Sequence, residues 1–329
     1  MSNIKWYDIR EKVDKLKPIN IIIGGRGIGK TYSTLLFLIE QGEKFIYLRN
    51  TDSQMSECMG LFGNPFKRIN LDKGYDIRIE KERKHYLINR YTDENEFENI
   101  GYGCALSTFE NLRGVDLSDV KYVLFDEFIE RRTLTFDQFA SFASFYETVN
   151  RNRELLGDDP LKCILLSNAQ KLGNPILAGY NVIPIIENMI RDQQRTYRSK
   201  NMFIDLPESE VSERKRATAQ YELIKDTQYS KEVLDNKFAY DSFYGIGKQK
   251  IQEFKPVCII DGMTVYKHKS KMLYYVCTIH ADTVEFNSKD QGLLWMRNYG
   301  QYFREAYAQG KFTFSDFTTK ICFAKLIGM

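Results

Sequence analysis

The stretch Ile19–Thr34 reads INIIIGGRGIGKTYST: an apolar run, a glycine-rich turn, then a lysine and a threonine. Gly24 is followed after four residues by Gly29-Lys30-Thr31, the G-x-x-x-x-G-K-[ST] spacing of a phosphate-binding loop. That pattern arises by chance in roughly one chain in a hundred of this length, so its flanks matter. Ile19–Ile23 supplies the buried strand that must precede the loop, and Tyr32–Gln41 the helix that must follow. Gly24, Gly25, Gly27 and Gly29 let the backbone turn tightly around the x-positions Arg26 and Ile28 and aim N–H groups at phosphate oxygens. The positive end of the following helix favours the same anion. In this arrangement Lys30 is expected to reach the β- and γ-phosphates of ATP, and the Thr31 hydroxyl to ligate Mg2+.

Working outward, 329 residues suit two domains, and 43% hydrophobic with 28% charged residues describe an ordinary soluble globular chain. The net charge of +3 is no electrostatic footprint for nucleic acid. Residues 229–329 hold 14 Lys and Arg against 10 Asp and Glu, while the first 228 hold 33 against 34, so the small surplus is C-terminal. Six cysteines with no C-x-x-C pair and no clustering with the three histidines argue against zinc and for reduced, buried thiols. The charged start MSNIKWYDIREKVDK is not a signal peptide, and no apolar run approaches 18 residues, so a cytoplasmic location without a membrane is expected.

Residues 4–16 predict a short amphipathic helix ended by Pro18, and Glu43–Arg49 a second strand after the helix that follows the loop. Alternation over Asp76–Arg90 predicts a hairpin turning near Lys81–Lys84, whose basic residues suit a solvated tip better than a polyanion contact. Lys121–Asp126 and Cys163–Leu166 are fully apolar strands, and Phe136–Asn150 carries the aromatic stripe of a core helix. These elements predict a doubly wound, mostly parallel α/β domain over residues 1–198. Residues 199–228 are polar enough for a linker, and 229–329 turn to β texture, with an Asp261-Gly262 hairpin signal and a helix over Leu293–Ala308.

The motif that selects a reaction class is Tyr122–Glu127, YVLFDE. An apolar strand delivers Asp126 to the carboxyl edge of the sheet, where it holds Mg2+ through water, and Glu127 stands next to it as general base for the attacking water. Small-molecule kinases seldom need that glutamate; ATP-driven motors do. Asn168 ends the next apolar strand, and two readings stay open: a polar sensor beside the γ-phosphate, or a cap for the following turn. Arg151 and Arg153 lie between these motifs, where a surface ion-pair network is the simplest account of their charge.

The chain resembles the genome-packaging ATPases of φ29-like bacteriophages. The resemblance is carried by GGRGIGKTY (24–32), FIYLR (45–49), LFDEFI (124–129), NRNRE (150–154), LSNA (166–169), Asn174-Pro175 and LDNKF (234–238), in order and spacing from about residue 15 to 240. It implies an ASCE-type P-loop ATPase that threads double-stranded DNA into an empty capsid as a pentameric ring, with the portal and a packaging RNA as partners, in the host cytoplasm at the capsid vertex. It further implies Lys30 and Thr31 on ATP-Mg2+, Asp126 on the metal, Glu127 as base, and Arg151 as a finger reaching the neighbour's ATP, with Arg153 in reserve. Arg49 and Arg113 fall where the family has basic residues acting between subunits, and Arg131 and Arg132 where a pore loop meets DNA phosphates.

The C-terminal region of such proteins resembles a nuclease of the ribonuclease H type. A two-metal nuclease needs several carboxylates converging on strand ends. Here Asp261 sits in a hairpin turn, and Asp282, Glu285 and Asp290 crowd one loop without recognisable spacing. The expectation is therefore a smaller α+β domain that is a degenerate, non-catalytic nucleic-acid-binding adaptor. The alternatives are a terminase-like ATPase with a working nuclease, or another P-loop NTPase.

Overall fold

A strand buried at every position needs neighbours on both edges and cover on both faces, which is the setting of a central parallel strand. β1 (Ile19–Ile23) is such a strand, Asn20 included. The computed structural model describes residues 5–93, 96–112, 114–130, 134, 136–168, 172–223 and 245–328. The chain divides into two compact units, one comprising Met1–Gly179 with Asn188–Tyr240, the other Tyr180–Glu187 with Asp241–Met329.

In the first unit β1 is followed by β2 (Lys44–Arg49), β3 (Asp76–Glu82), β4 (His85–Asp93), β5 (Glu96–Ala105), β6 (Val120–Asp126), β7 (Lys162–Ser167), β8 (Thr196–Arg198) and β9 (Met202–Asp205). Their order in the sheet is β3-β4-β5-β2-β6-β7-β1-β9-β8. The six strands from β5 to β9 are all parallel, with Ile19 opposite Cys163 on one side and Met202 on the other. Leaving β1, the chain skips two positions to form β2, and β6 and β7 later fill the gap. The carboxyl ends of β1, β7 and β6 thereby lie side by side.

The helices of this unit are α1 (Lys30–Gln41), α2 (Asp52–Glu57), α3 (Lys67–Lys73), α4 (Gln138–Asn150) and α5 (Pro175–Gly179). After α6 (Ile183–Arg191) come α7 (Glu210–Arg216) and α8 (Ala219–Leu223). α1 buries Leu35, Leu36, Phe37 and Leu38 in the main core together with Tyr47, Leu124, Ile164 and Val211. The aromatic stripe of α4 packs as expected, with Phe142 stacked on Phe125 at 5.7 Å. The hairpin β3–β4 turns at Arg83, which takes a left-handed φ of 55°. Two of its cations are engaged locally: Arg78 with Asp76, and Lys81 with the Tyr86 hydroxyl at 3.0 Å.

Several expectations need correction. The stretch 199–228 is more than a linker, since β9 is paired along β1 and α7 buries Val211 in the main core. A boundary at 198 would part β8 from β9 and β9 from β1. The N-terminal helix is a 3-10 turn, Ile9–Lys15, started by the Asp8 carboxylate on the Arg10 N–H.

The second unit is α+β. β10 (Phe254–Ile260), β11 (Met263–His268) and β12 (Tyr274–Cys277) form an antiparallel meander. β13 (Glu285–Phe286) flanks β10 and β14 (Phe312–Phe314) flanks β12, both in parallel. Asp261 and Gly262 turn the first hairpin with φ of 47° and 75°, the pair of left-handed residues that a type I′ turn requires. The helix expected over Leu293–Ala308 is α9 (Ser288–Trp295) and α10 (Gln301–Ala308), joined by a π turn over Met296–Gly300. With α11 (Phe317–Leu326) they cover an aromatic core of Tyr274, Trp295, Phe303, Phe312 and Phe323. Among the described residues no helix is long and apolar enough to cross a membrane.

Candidate nucleotide-binding site

The loop between β1 and α1 works because of its glycines. Gly27 and Gly29 hold φ of 67° and 101°, left-handed values that side-chain-bearing residues adopt at a cost. Gly24 faces Pro207 so closely that a Cβ would lie 2.9 Å from the ring. Ile28 is fully buried and anchors the turn in the core, while Arg26 is exposed. Lys30 opens α1 and folds back over the loop, where its Nζ donates to the Gly24 carbonyl at 2.9 Å and the Gly25 carbonyl at 2.7 Å. The same ammonium donates to Asn168 Oδ1 at 3.2 Å, so the polar end of β7 meets the lysine of β1's loop. Burial lowers the Lys30 pKa to about 8; Asp126 and Glu127 resist the shift and Lys215 adds to it.

Thr31 Oγ1 donates to Asp126 Oδ1 at 3.0 Å, joining the first turn of α1 to the end of β6. Tyr47, on β2, donates its hydroxyl to the other oxygen, Oδ2, also at 3.0 Å. Burial raises the Asp126 pKa and the neighbouring Glu127 adds to it, while Arg49, Tyr47 and Thr31 pull the other way. A threonine hydroxyl and a carboxylate sharing one spot are hard oxygen donors that suit Mg2+ held partly through water. Gly27, Lys30, Thr31, Asp126, Glu127 and Asn168 all line one cleft of about 290 Å³.

Glu127 has a left-handed backbone, φ 54°, and a half-exposed side chain. A non-glycine residue held there costs about 1 kcal/mol or more, and the neighbours must impose it. Asn50, at the end of β2, donates its Nδ2 to the Glu127 carbonyl at 3.1 Å. Gln138 Nε2 in turn donates to Asn50 Oδ1 at 2.7 Å and to the Phe128 carbonyl at 2.6 Å, and Asn174 Nδ2 donates to Gln138 Oε1 at 2.8 Å. These three amides are buried and brace the turn that aims Glu127.

Arg49, expected to act between subunits, meets the acid pair of its own chain. Its Nη2 donates to Glu127 Oε2 at 2.7 Å and its Nη1 lies 3.7 Å from Asp126 Oδ2, both within its own chain. The geometry follows from the sheet, because β2 and β6 are parallel neighbours with Leu48 opposite Phe125. Arg151 caps α4 with φ 50°, donates to the Val115 carbonyl at 2.8 Å, and keeps half of its side chain exposed. Arg153 is buried and donates to the Leu117 and Ser118 carbonyls at 3.1 and 3.2 Å, which leaves it bound within its own chain. Arg113, Arg131, Arg132, Ala169 and the stretch 234–238 lie outside the described residues.

Other contributors escaped the sequence reading. Tyr7 docks its N–H on the Ile28 carbonyl at 3.0 Å, and Trp6 lies 3.5 Å from where a Cβ on Gly29 would stand. A second cleft of about 830 Å³ opens beside the loop, bordered by Trp6, Tyr7, Arg195, Asp205, Ser209 and Arg216. Lys215 of α7 donates to the Arg26 carbonyl at 2.5 Å. Trp6 and Lys215 carry no local signal.

In the second unit Asp261 Oδ1 accepts the Ser288 N–H at 2.8 Å, so this carboxylate ties α9 to the hairpin. Among the described residues, no group of three His, Cys, Asp or Glu side chains there is placed to hold a metal ion.

A family model described as Podovirus DNA encapsidation protein (Gp16) matches residues 1–288. The DNA packaging proteins of Bacillus phage PZA and Bacillus phage phi29 are each 26% identical over 291 residues, covering 85% of this chain and 81% of the relative. Among solved structures, the Phi-28 gp11 DNA packaging motor is similar with a TM-score of 0.66 at 17% identity, over 99% of both chains. The bacteriophage Phi-29 viral genome packaging motor assembly is similar with a TM-score of 0.65 at 20% identity, over 98% of both chains. At these identities the structural likeness is one of fold.

Proposed function

Because the chain belongs to the podovirus DNA encapsidation protein family, we propose that it is an ATPase that drives double-stranded viral DNA into an empty capsid. The observation that carries this reading is the Thr31–Asp126 hydrogen bond of 3.0 Å, with Glu127 and Asn168 on the same cleft. A loop that only bound phosphate would need neither carboxylate.

In this reading the loop N–H groups and Lys30 hold the β- and γ-phosphates, and Thr31 with Asp126 holds Mg2+, which would neutralise phosphate charge. Glu127 accepts a proton from the attacking water, and Asn168 orients water or a γ-phosphate oxygen. The 830 Å³ cleft receives the nucleoside, with the exposed Trp6 as a face on which a base stacks. Arg151 is the residue we assign to the neighbouring subunit's ATP in a pentameric ring, since half of its side chain remains free to solvent. The portal of the capsid and a packaging RNA are the expected partners, in the host cytoplasm at the capsid vertex. The second unit serves as a non-catalytic adaptor for nucleic acid, and its Asp261 does structural duty.

The test is ATP hydrolysis and DNA protection by the full chain with empty capsids. Wild type should hydrolyse ATP and shelter DNA from added nuclease, while Lys30→Ala should bind no ATP. A chain that binds ATP but neither hydrolyses it nor protects DNA would overturn the proposal.

A further inference from the structure

We infer that Lys215 is a second phosphate-binding cation of the site, carried to the loop by α7, and that it ties the chain leaving the first unit to nucleotide binding. The inference rests on the ATP reading above and adds a phosphate ligand from α7.

Three observations support it. Lys215 Nζ sits 2.5 Å from the Arg26 carbonyl, and a Cβ on Gly27 would lie 2.9 Å from that same nitrogen, so the ammonium rests directly on the phosphate turn. Burial and, after it, the neighbouring Arg26 oppose protonation of Lys215, so its ammonium stands on the turn with another cation beside it. Three like charges gathered on one loop of N–H groups repel each other, and a polyphosphate is the ligand that relieves this. The helix bringing Lys215 is firmly seated: Val211 joins the core that contains Ile28 and Leu35, and Ser209 accepts the Val211 N–H at 3.1 Å. A cation on such a helix transmits what it binds to the helix itself. From α7 the chain runs through α8 toward the second unit.

The mainly structural alternative is that Lys215 only braces the Arg26 carbonyl. Lys215→Gln separates the two, because its amide keeps an N–H donor and loses the charge. The full chain is titrated with Mg-ATP and with AMP by calorimetry, and amide exchange is followed over residues 210–223. A charged hydrogen bond supports an expectation of about a 10- to 100-fold weaker affinity for ATP in both Lys215→Gln and Lys215→Ala. AMP affinity should stay within about twofold, Lys215→Arg should restore most ATP binding, and ATP-dependent protection of α7 should vanish in the neutral variants. Lys215→Gln binding ATP like wild type, with α7 still protected, overturns the inference. If that occurs while Lys30→Ala abolishes ATP binding, the ATP reading stands and only this inference fails. A wild-type chain that binds no ATP removes both.

Discussion

Arg49 holds Glu127 across the β2–β6 pair, with Nη2 and Oε2 2.7 Å apart. The contact occupies Oε2 and leaves Oε1 open, so it orients the carboxylate and has to shift wherever Oε2 is the oxygen that meets water. With Glu127 as the base proposed above, Arg49 is expected to act as a brake that activation releases. Arg49→Ala is expected to raise hydrolysis without DNA, so that the ratio of DNA-stimulated to basal turnover falls about fivefold or more, the lower end of ordinary coupling energies. Glu127→Gln should lower turnover by about 10²–10⁴ with ATP binding retained. Steady-state rates with and without DNA and capsids check both. An Arg49→Ala chain with an unchanged ratio would remove the brake.

Lys30 sets a pH limit. Its folded pKa is depressed to about 8 from 10.5 by burial. Phosphate requires the protonated form, so affinity is full below pH 8 and is lost as pH rises through it. Between pH 7.5 and 9.5, the Kd for Mg-ATP should climb toward about tenfold per unit, with proton uptake on binding. Calorimetry in buffers of different ionisation enthalpy measures that uptake. A flat affinity across the range would refute the assignment.

Gln138 joins Asn50, the Phe128 carbonyl and Asn174 in a buried set. Gln138→Leu leaves these partners unsatisfied, at a cost of about 3 kcal/mol. In a unit of this size the midpoint of thermal unfolding should drop by about 10 °C. A shift below about 2 °C would show that the amides find other partners.

Arg151 is tested by mixing. If it completes a neighbour's site, Arg151→Ala chains doped into wild-type rings on capsids should poison more than their own share of the activity. A finger of this kind is worth about 10³–10⁵ in rate, so strongly curved dose dependence is expected. Simple proportional loss would place its action within its own chain.

Much of the fold was legible because its signals are local. The glycine spacing of residues 24–31, the apolar run ending in Asp126-Glu127, and the strand ending at Asn168 each declare themselves within a few residues. Strand pairing over long separations does not. β9 looks like a polar linker's edge, and only its register against β1 makes it part of the sheet. Tyr180–Glu187 belongs with the second unit although the chain on both sides belongs to the first. The π turn at Met296–Gly300 was equally silent, since one extra residue per turn leaves the helical pattern almost unchanged.

By itself, then, the order of residues determined the loop, its lysine, the acid pair and the class of chemistry they suit, because each is a spacing of neighbours along the chain. Tertiary structure alone decided which charges meet. It set Arg49 against Glu127, buried Arg153, and laid Lys215 on a turn 189 residues earlier. Those contacts depend on strand order and helix docking, and neither is written in any local stretch of sequence.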